Sequence, residues 1–341
     1  MSIQKTTVLA AFLSLFLSAA IGCGCGKGSK TADDGSRSTQ KEDTLRLGNF
    51  NADSAFSYIA EQVAFGPRVP GTDAHRACRD WLINKFRRLG IDSIIVQDAT
   101  VTASNGDVLP ISNIIAGFYT DRPKRIVIAA HWDTRPWADQ EAKAEDRAKP
   151  IPGANDGGSG VAVILELVRN LAQNRPNVGV DFILFDAEDY GEHGAFDPNT
   201  ESWCLGSQYW SRNIVPYRPD NLPEYGIVLD MVGGRDAVFH YEAYSAEKAP
   251  KPTIKVWSEA ERLGYGNIFD RNIGGVVVDD HVFMNRAGIP TTDIIELNNH
   301  ATGSFPATWH TLNDNLDNID KNTLQAVGET LLNVIYKEKA Y

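Results

Sequence analysis

The sequence predicts a single α/β domain, a central mixed, mostly parallel twisted sheet flanked by helices on both faces. Residues 125–130 (Arg-Ile-Val-Ile-Ala-Ala) and 180–185 (Val-Asp-Phe-Ile-Leu-Phe) are short apolar runs of the kind that form strands buried on both sides. Between them Val161, Leu165, Val168 and Leu171 recur at helical spacing, so residues 159–171 read as a helix. Strand, long loop, helix, strand is the order of a crossover unit whose helix packs back on the sheet.

The other elements follow along the chain. In residues 73–89, Ala77, Cys78, Trp81, Leu82, Phe86 and Leu89 share one helical stripe, with Asp73 as N-cap and Gly90 as stop. Further strands are expected at 226–230, 237–241 and 292–297, and a closing helix from Leu324 to about Tyr336. Residues 135–150, dense in Asp, Glu, Lys and Arg, read as a solvated flap. With no internal repeat and no break in composition after position 45, residues 46–341 make one domain.

The N-terminal residues read as an address rather than as structure. Lys5 precedes an apolar run, 8–21, that two serines interrupt and that is too short to span a bilayer comfortably. It ends in Ala20-Ile21-Gly22-Cys23, which resembles the bacterial lipobox: residues 1–22 would be cleaved and the Cys23 thiol lipidated. A plain secretory peptide with an incidental cysteine is the alternative. Residues 23–45, rich in Gly, Ser, Thr, Lys and Asp, then serve as a flexible tether. The expectation is an exported lipoprotein facing the periplasm, monomeric, touching a membrane through its lipid alone, with inner or outer membrane left open.

Charge narrows the partners. The formal net charge is −11, and Lys5 is the only charged residue before position 23, so a chain starting at Cys23 carries about −12. That balance argues against nucleic acid as a partner, because its binders need clustered positive charge. Cys78 and Cys204 are too few for a disulfide framework, and Cys78 on an apolar stripe reads as a buried free thiol.

Acidic residues and histidines gather where strands end. The first strand runs into His131-Trp132-Asp133, the second into Asp186-Ala187-Glu188-Asp189, another closes on Asp230, and Asp279-Asp280-His281 stands in the loop before the last. The C-terminal strand edges of an open α/β sheet line its ligand crevice, so these groups should converge. Zinc takes imidazole nitrogen and carboxylate oxygen, with three protein ligands and one open position in a catalytic site. Asp156, in Pro152-Gly-Ala-Asn-Asp-Gly-Gly158, can be held by its glycine-rich turn; alone it would read as a turn former. Adjacent Glu188 and Asp189 repel one another unless a cation or a shared proton compensates, which suits one for a metal and the other for proton transfer. His310, between Trp309 and Thr311, is a third candidate, though alone it would read as a packed pair.

In this order the motifs resemble the zinc aminopeptidase superfamily and, within it, the glutaminyl cyclases of animal type and their bacterial relatives. The resemblance runs from Phe65 to the C-terminus and is most specific in VDDHVFMNRAGIP (278–290) and FPATWHTLNDNLDNID (305–320). It implies that Asp156, Asp189 and His310 bind one zinc, that Glu188 is the general acid/base, and that Asp230 and Asp279 hydrogen-bond around the reacting centre. It further implies that Trp309, Phe305 and His281 contact substrate, and that His131 with Asp230 corresponds to a second-metal position of the aminopeptidases. Asp189 departs from the family's usual glutamate, and the Asp156–Gly157 peptide is expected to be cis. The implied reaction turns an N-terminal glutamine of a peptide or protein into pyroglutamate with loss of ammonia. Its rivals are a two-zinc aminopeptidase and an inactive binding lipoprotein.

Overall fold

The computed structural model describes residues 47–192 and 201–340; the leader, Cys23 and the tether lie outside the described residues. All described residues fall in one unit, Thr44–Tyr341. Helices α1 (Ala52–Val63) and α2 (Asp73–Leu89) precede a hairpin, β1 (Ser93–Thr102) and β2 (Val108–Phe118). The crossover unit follows as β3 (Arg125–His131), α3 (Ser159–Gln173) and β4 (Gly179–Phe185), then α4 (Leu205–Arg212) and β5 (Gly226–Asp230). Next come β6 (Phe239–Glu242), α5 (Ala243–Lys248), α6 (Pro250–Leu263) and β7 (Phe269–Gly275). The chain ends with α7 (Asp280–Arg286), β8 (Thr291–Ile295) and α8 (Lys321–Lys337).

Six strands form the central sheet in the order β1-β2-β4-β3-β5-β8; β4, β3, β5 and β8 run parallel, and the β1–β2 hairpin adds antiparallel to β4. The sheet is therefore mixed and mostly parallel, as the apolar runs require. Alternation along β3 builds two cores. Ile126, Ile128 and Ala130 join the larger one with residues of α1, α3 and α8, while Val127 and Ala129 meet Trp210 of α4 and Met284 of α7 on the other face. Each fully buried Ile, Val or Leu contributes about 1.5–3 kcal/mol. Helix α3 crosses the centre and packs closely, because a Cβ at Gly160 would lie 2.3 Å from the Leu229 carbonyl oxygen.

Three details differ from expectation. The α2 N-cap is Thr72, whose hydroxyl accepts the His75 N–H at 3.2 Å, while the exposed Asp73 carboxylate pairs with Arg76. The strand expected at 237–241 is Phe239–Glu242, and it pairs with β7 in a separate two-stranded sheet. Asp279-Asp280-His281 is not loop: Asp279 caps α7, and Asp280 and His281 form its first turn.

The described chain begins at the far end of two helices. The backbone N–H groups of Leu47, Asn49 and Asn51 donate to Asn333 of α8 and to Asn170 and Glu166 of α3, at 2.9–3.0 Å. No helix among the described residues is long and apolar enough to cross a membrane.

Candidate metal centre

The topology carries most of the candidate groups to the C-terminal edge of the sheet. His131 closes β3, Asp230 closes β5, Glu188 and Asp189 follow β4, and Asp156 precedes α3. Buried carboxylates set the turns that aim them. Asp133, fully buried, accepts the backbone N–H groups of Glu188 at 3.1 Å and Asp189 at 3.3 Å, tying the ends of β3 and β4 together. Asp314 does the same for the glycine-rich turn, accepting from Asn155 at 2.7 Å and Asp156 at 3.1 Å. Asp186 accepts the Ser112 N–H at 2.6 Å and faces His75 Nε2 at 2.9 Å. Ala187 follows with φ +50°, an unfavoured left-handed conformation that turns the next two acidic residues into the site.

The Asp156–Gly157 peptide is trans, and among the described residues the only cis peptide is Val215–Pro216. Gly157 turns the chain instead, with φ +81°, and a Cβ there would lie 2.2 Å from the Asp133 carbonyl oxygen.

Two trios share Asp156. In the first, His131 Nε2 lies 3.1 Å from both Asp156 Oδ1 and Asp230 Oδ1. In the second, His310 Nε2 lies 3.1 Å from Asp189 Oδ1 and 3.8 Å from Asp156 Oδ2. Asp189, one methylene shorter than glutamate, therefore still reaches the centre. Asp156 Oδ2 and Asp189 Oδ2 are buried acceptors with no hydrogen-bond partner. Such orphans cost about 1–3 kcal/mol each. A divalent cation between them removes that cost, and two carboxylates with one imidazole are a donor set that zinc accepts.

The charges around this centre are strongly perturbed. Burial pushes the Glu188 carboxyl well above its ordinary value, and Asp279, Asp189 and Asp280 add to the effect against the opposing pull of His131. Burial, helped by Asp230, lifts Asp279 to about 6. Desolvation would depress His310, but Asp189 and Asp139 outweigh it and push the ring up to about 9 without a metal. Cys204 lies beside Glu188: its thiol donates to Oε1 at 3.1 Å and its backbone N–H to the Glu188 carbonyl at 2.9 Å.

Half-buried Phe305 and Trp309 lie with ring centroids 4.4 Å apart, tilted by 33°, and pack on Met231, Ile295 and Leu297, forming an apolar wall beside His310. His281 is not part of that wall. It is fully buried behind the site, with Nε2 3.1 Å from Glu242 and Nδ1 3.3 Å from Asp293. The expected flap is also only half right: residues 142–150 are largely exposed, but Arg135 and Ala138 are buried and Asp139 reaches His310. Asp133 stood in a visible His-x-Asp motif without a role. Arg135, Asp139, Trp203 and Cys204 carry no local signal, since each acts on residues distant in sequence, and Asp314 stood inside the 305–320 motif without a role. Cys78 and Cys204 are both buried free thiols.

A parallel-rich sheet whose edge gathers two carboxylates and a histidine around an ion position defines an enzyme of the zinc-aminopeptidase type. Residues 113–335 match the model of peptidase family M28, and the chain belongs to that family. It is 49% identical to glutaminyl cyclase of Bacteroides thetaiotaomicron, crystallised bound to N-acetylhistamine; the match covers 86% of this chain and 100% of that one, with a TM-score of 0.81. A Zn-dependent exopeptidase from Parabacteroides distasonis is 45% identical over 86% of this chain and 100% of its own, with a TM-score of 0.81. Bovine glutaminyl-peptide cyclotransferase is 25% identical over 291 residues, 77% of this chain and 76% of the bovine one.

Proposed function

We propose that this enzyme is a glutaminyl-peptide cyclotransferase that converts the N-terminal glutamine of peptides and proteins to pyroglutamate, releasing ammonia. The observation that carries the proposal is the glutaminyl cyclase of B. thetaiotaomicron, matched along its entire length at 49% identity. Asp156, Asp189 and His310 would hold one zinc, which when bound supplies Lewis acidity toward an amide oxygen. The substrate's own α-amine attacks its γ-carboxamide carbon; the new C–N bond closes the ring and the old one breaks to release ammonia. Glu188 takes a proton from the amine and returns it to the departing nitrogen, a transfer worth about 10²–10⁴ in rate. Its raised affinity for protons suits it to both halves of that task. Asp279 and Asp230 orient the amine and the leaving group. Phe305 and Trp309 cover the glutamine side chain and exclude water that would hydrolyse it.

One ion rather than two is supported by the pairing of the oxygens. His131 Nε2 already engages Asp156 and Asp230, whereas within the two trios the orphaned oxygens belong to Asp156 and Asp189. The two-zinc aminopeptidase reading keeps one specific support: His131, Asp156 and Asp230 are close enough to hold an ion of their own. Zinc per chain, measured beside ammonia release from Gln-peptides and hydrolysis of Leu-amides, separates the readings. One zinc with ammonia release is expected; two zincs with amide hydrolysis would overturn the cyclase.

The anchoring elements belong to the same proposal. Cleavage before Cys23 and lipidation of its thiol would place the domain, as a monomer on the 23–45 tether, in the periplasm and in reach of exported chains beginning with glutamine. Mass analysis of the mature N-terminus tests it: an unmodified Cys23, or an uncut leader, defeats it.

A further inference from the structure

Three contacts reach His310 and its loop from one short segment. Asp139 Oδ1 lies 3.1 Å from His310 Nδ1, the Gln140 N–H donates to the His310 carbonyl at 3.2 Å, and Glu141 accepts the Leu312 N–H at 2.9 Å. Arg135 begins the same segment. Its guanidinium donates to Asp139 Oδ2 at 2.6 Å and, through Nη1, to the Asp189 carbonyl at 3.3 Å and carboxylate at 3.4 Å. The Arg135 cation also lies 4.8 Å from the Trp203 ring, which in turn stacks with the His310 ring, 18° from parallel. The Arg135 side chain is 2% exposed, so this is a built arrangement inside the protein rather than a surface pair.

His310 needs such support. Its φ of +53° is unfavourable for a residue with a Cβ and persists only where neighbours impose it. A carboxylate accepting from Nδ1–H fixes the tautomer that leaves the Nε2 lone pair pointing toward Asp189 and Asp156. Two of the three candidate ligands are thus braced by one segment, Asp189 by Arg135 and His310 by Asp139.

We infer that residues 135–141 form a latch that sets how tightly the centre holds its metal, with Asp139 as the positioning residue for His310. The inference rests on Asp156, Asp189 and His310 being the ligands; it is independent of which reaction follows.

The test is zinc affinity of the full chain by chelator competition, together with the melting temperature of zinc-free and zinc-loaded protein. Asp139→Ala should bind zinc about 10–100-fold more weakly, the usual loss when a ligand histidine is deprived of its carboxylate. Asp139→Asn is isosteric but has one acceptor to share between His310 and Arg135, and should lose toward the lower end of that range, about 10-fold. Asp146→Ala, in the outer loop where the carboxylate pairs with Lys149, should bind zinc like the parent. Zinc affinity of Asp139→Asn within about 2-fold of the parent overturns the latch, whether or not Asp139→Ala folds. So does a zinc-free Asp139→Asn protein that loses as much melting temperature as the zinc-loaded one, since that marks a merely structural role. A parent that takes up no zinc overturns the ligand assignment and the latch with it.

Discussion

The middle of the sheet and its C-terminal edge are built on opposite terms. Ile128, Phe182 and Ile227, neighbours on adjacent strands, are apolar and fully buried, so packing and stability point the same way there. At and just beyond the ends of these strands, Glu188, Asp189 and Asp230 crowd together with Asp156 and with Asp279 of the α7 cap, all buried. Like charges held in a dry site destabilise the fold unless a proton or a metal neutralises them. The edge also holds its non-glycine residues in left-handed conformations at Ala187, Met231 and His310. The interior therefore stores the stability that the edge spends on geometry and charge.

Substitution in each region should separate the two quantities. The largest effect is expected from Glu188→Gln, which keeps shape and removes the proton carrier. Turnover should fall about 10²–10⁴-fold with zinc content unchanged, and the zinc-free protein should resist urea better than the parent. An unchanged rate would refute the role of Glu188. Phe182→Ala, in the larger core, should show the reverse: about 3–5 kcal/mol of stability lost in urea unfolding, with turnover of the folded protein and zinc per chain preserved. Lost zinc in that variant would mean that interior and edge are not separable.

The smallest effect is expected at Glu296, one residue beyond β8 on the same edge. Burial lifts its carboxyl to about 7, against the help of the Asn299 amide. The folded protein therefore keeps a proton that the unfolded chain releases near its ordinary value of 4.5. Stability from this group is fully present below pH 4.5 and is lost as pH rises through about 7. Glu296→Gln should be more stable than the parent at pH 8, by on the order of 1–3 kcal/mol, and no more stable at pH 4. Urea midpoints of the two proteins that stay parallel across that range would remove the edge carboxylate from the comparison.

What the sequence discloses follows the same division. Strands β3, β4 and β5 and helices α2, α3 and α8 are legible because each is a continuous apolar run or a clean stripe that one core explains. The hairpin escapes that reading. β1 alternates only partly buried positions, and β2 is interrupted by Pro110 and by Asn113, whose amide oxygen is committed to the backbone of Asp186. β7, with Asp270, Arg271 and Asn272, pairs in the small sheet and has little apolar content to show. At the edge, the ligand candidates are legible as motifs, but their supports are not. Asp139 lies 171 residues from His310 and Asp314 158 residues from Asp156, distances that only the folded chain closes. His281 misleads for the same reason, since its motif marks Asp279 while its own ring turns to Glu242 and Asp293.

The pinning of residues 47–51 has a geometric consequence. Asn170 stands twelve residues beyond Gly158 on α3, about 18 Å along its axis from the glycine-rich turn. The first described residues are therefore held by the C-terminal half of α3, a helix length away from the turn that carries Asp156, so their contacts can change without disturbing the candidate ligands.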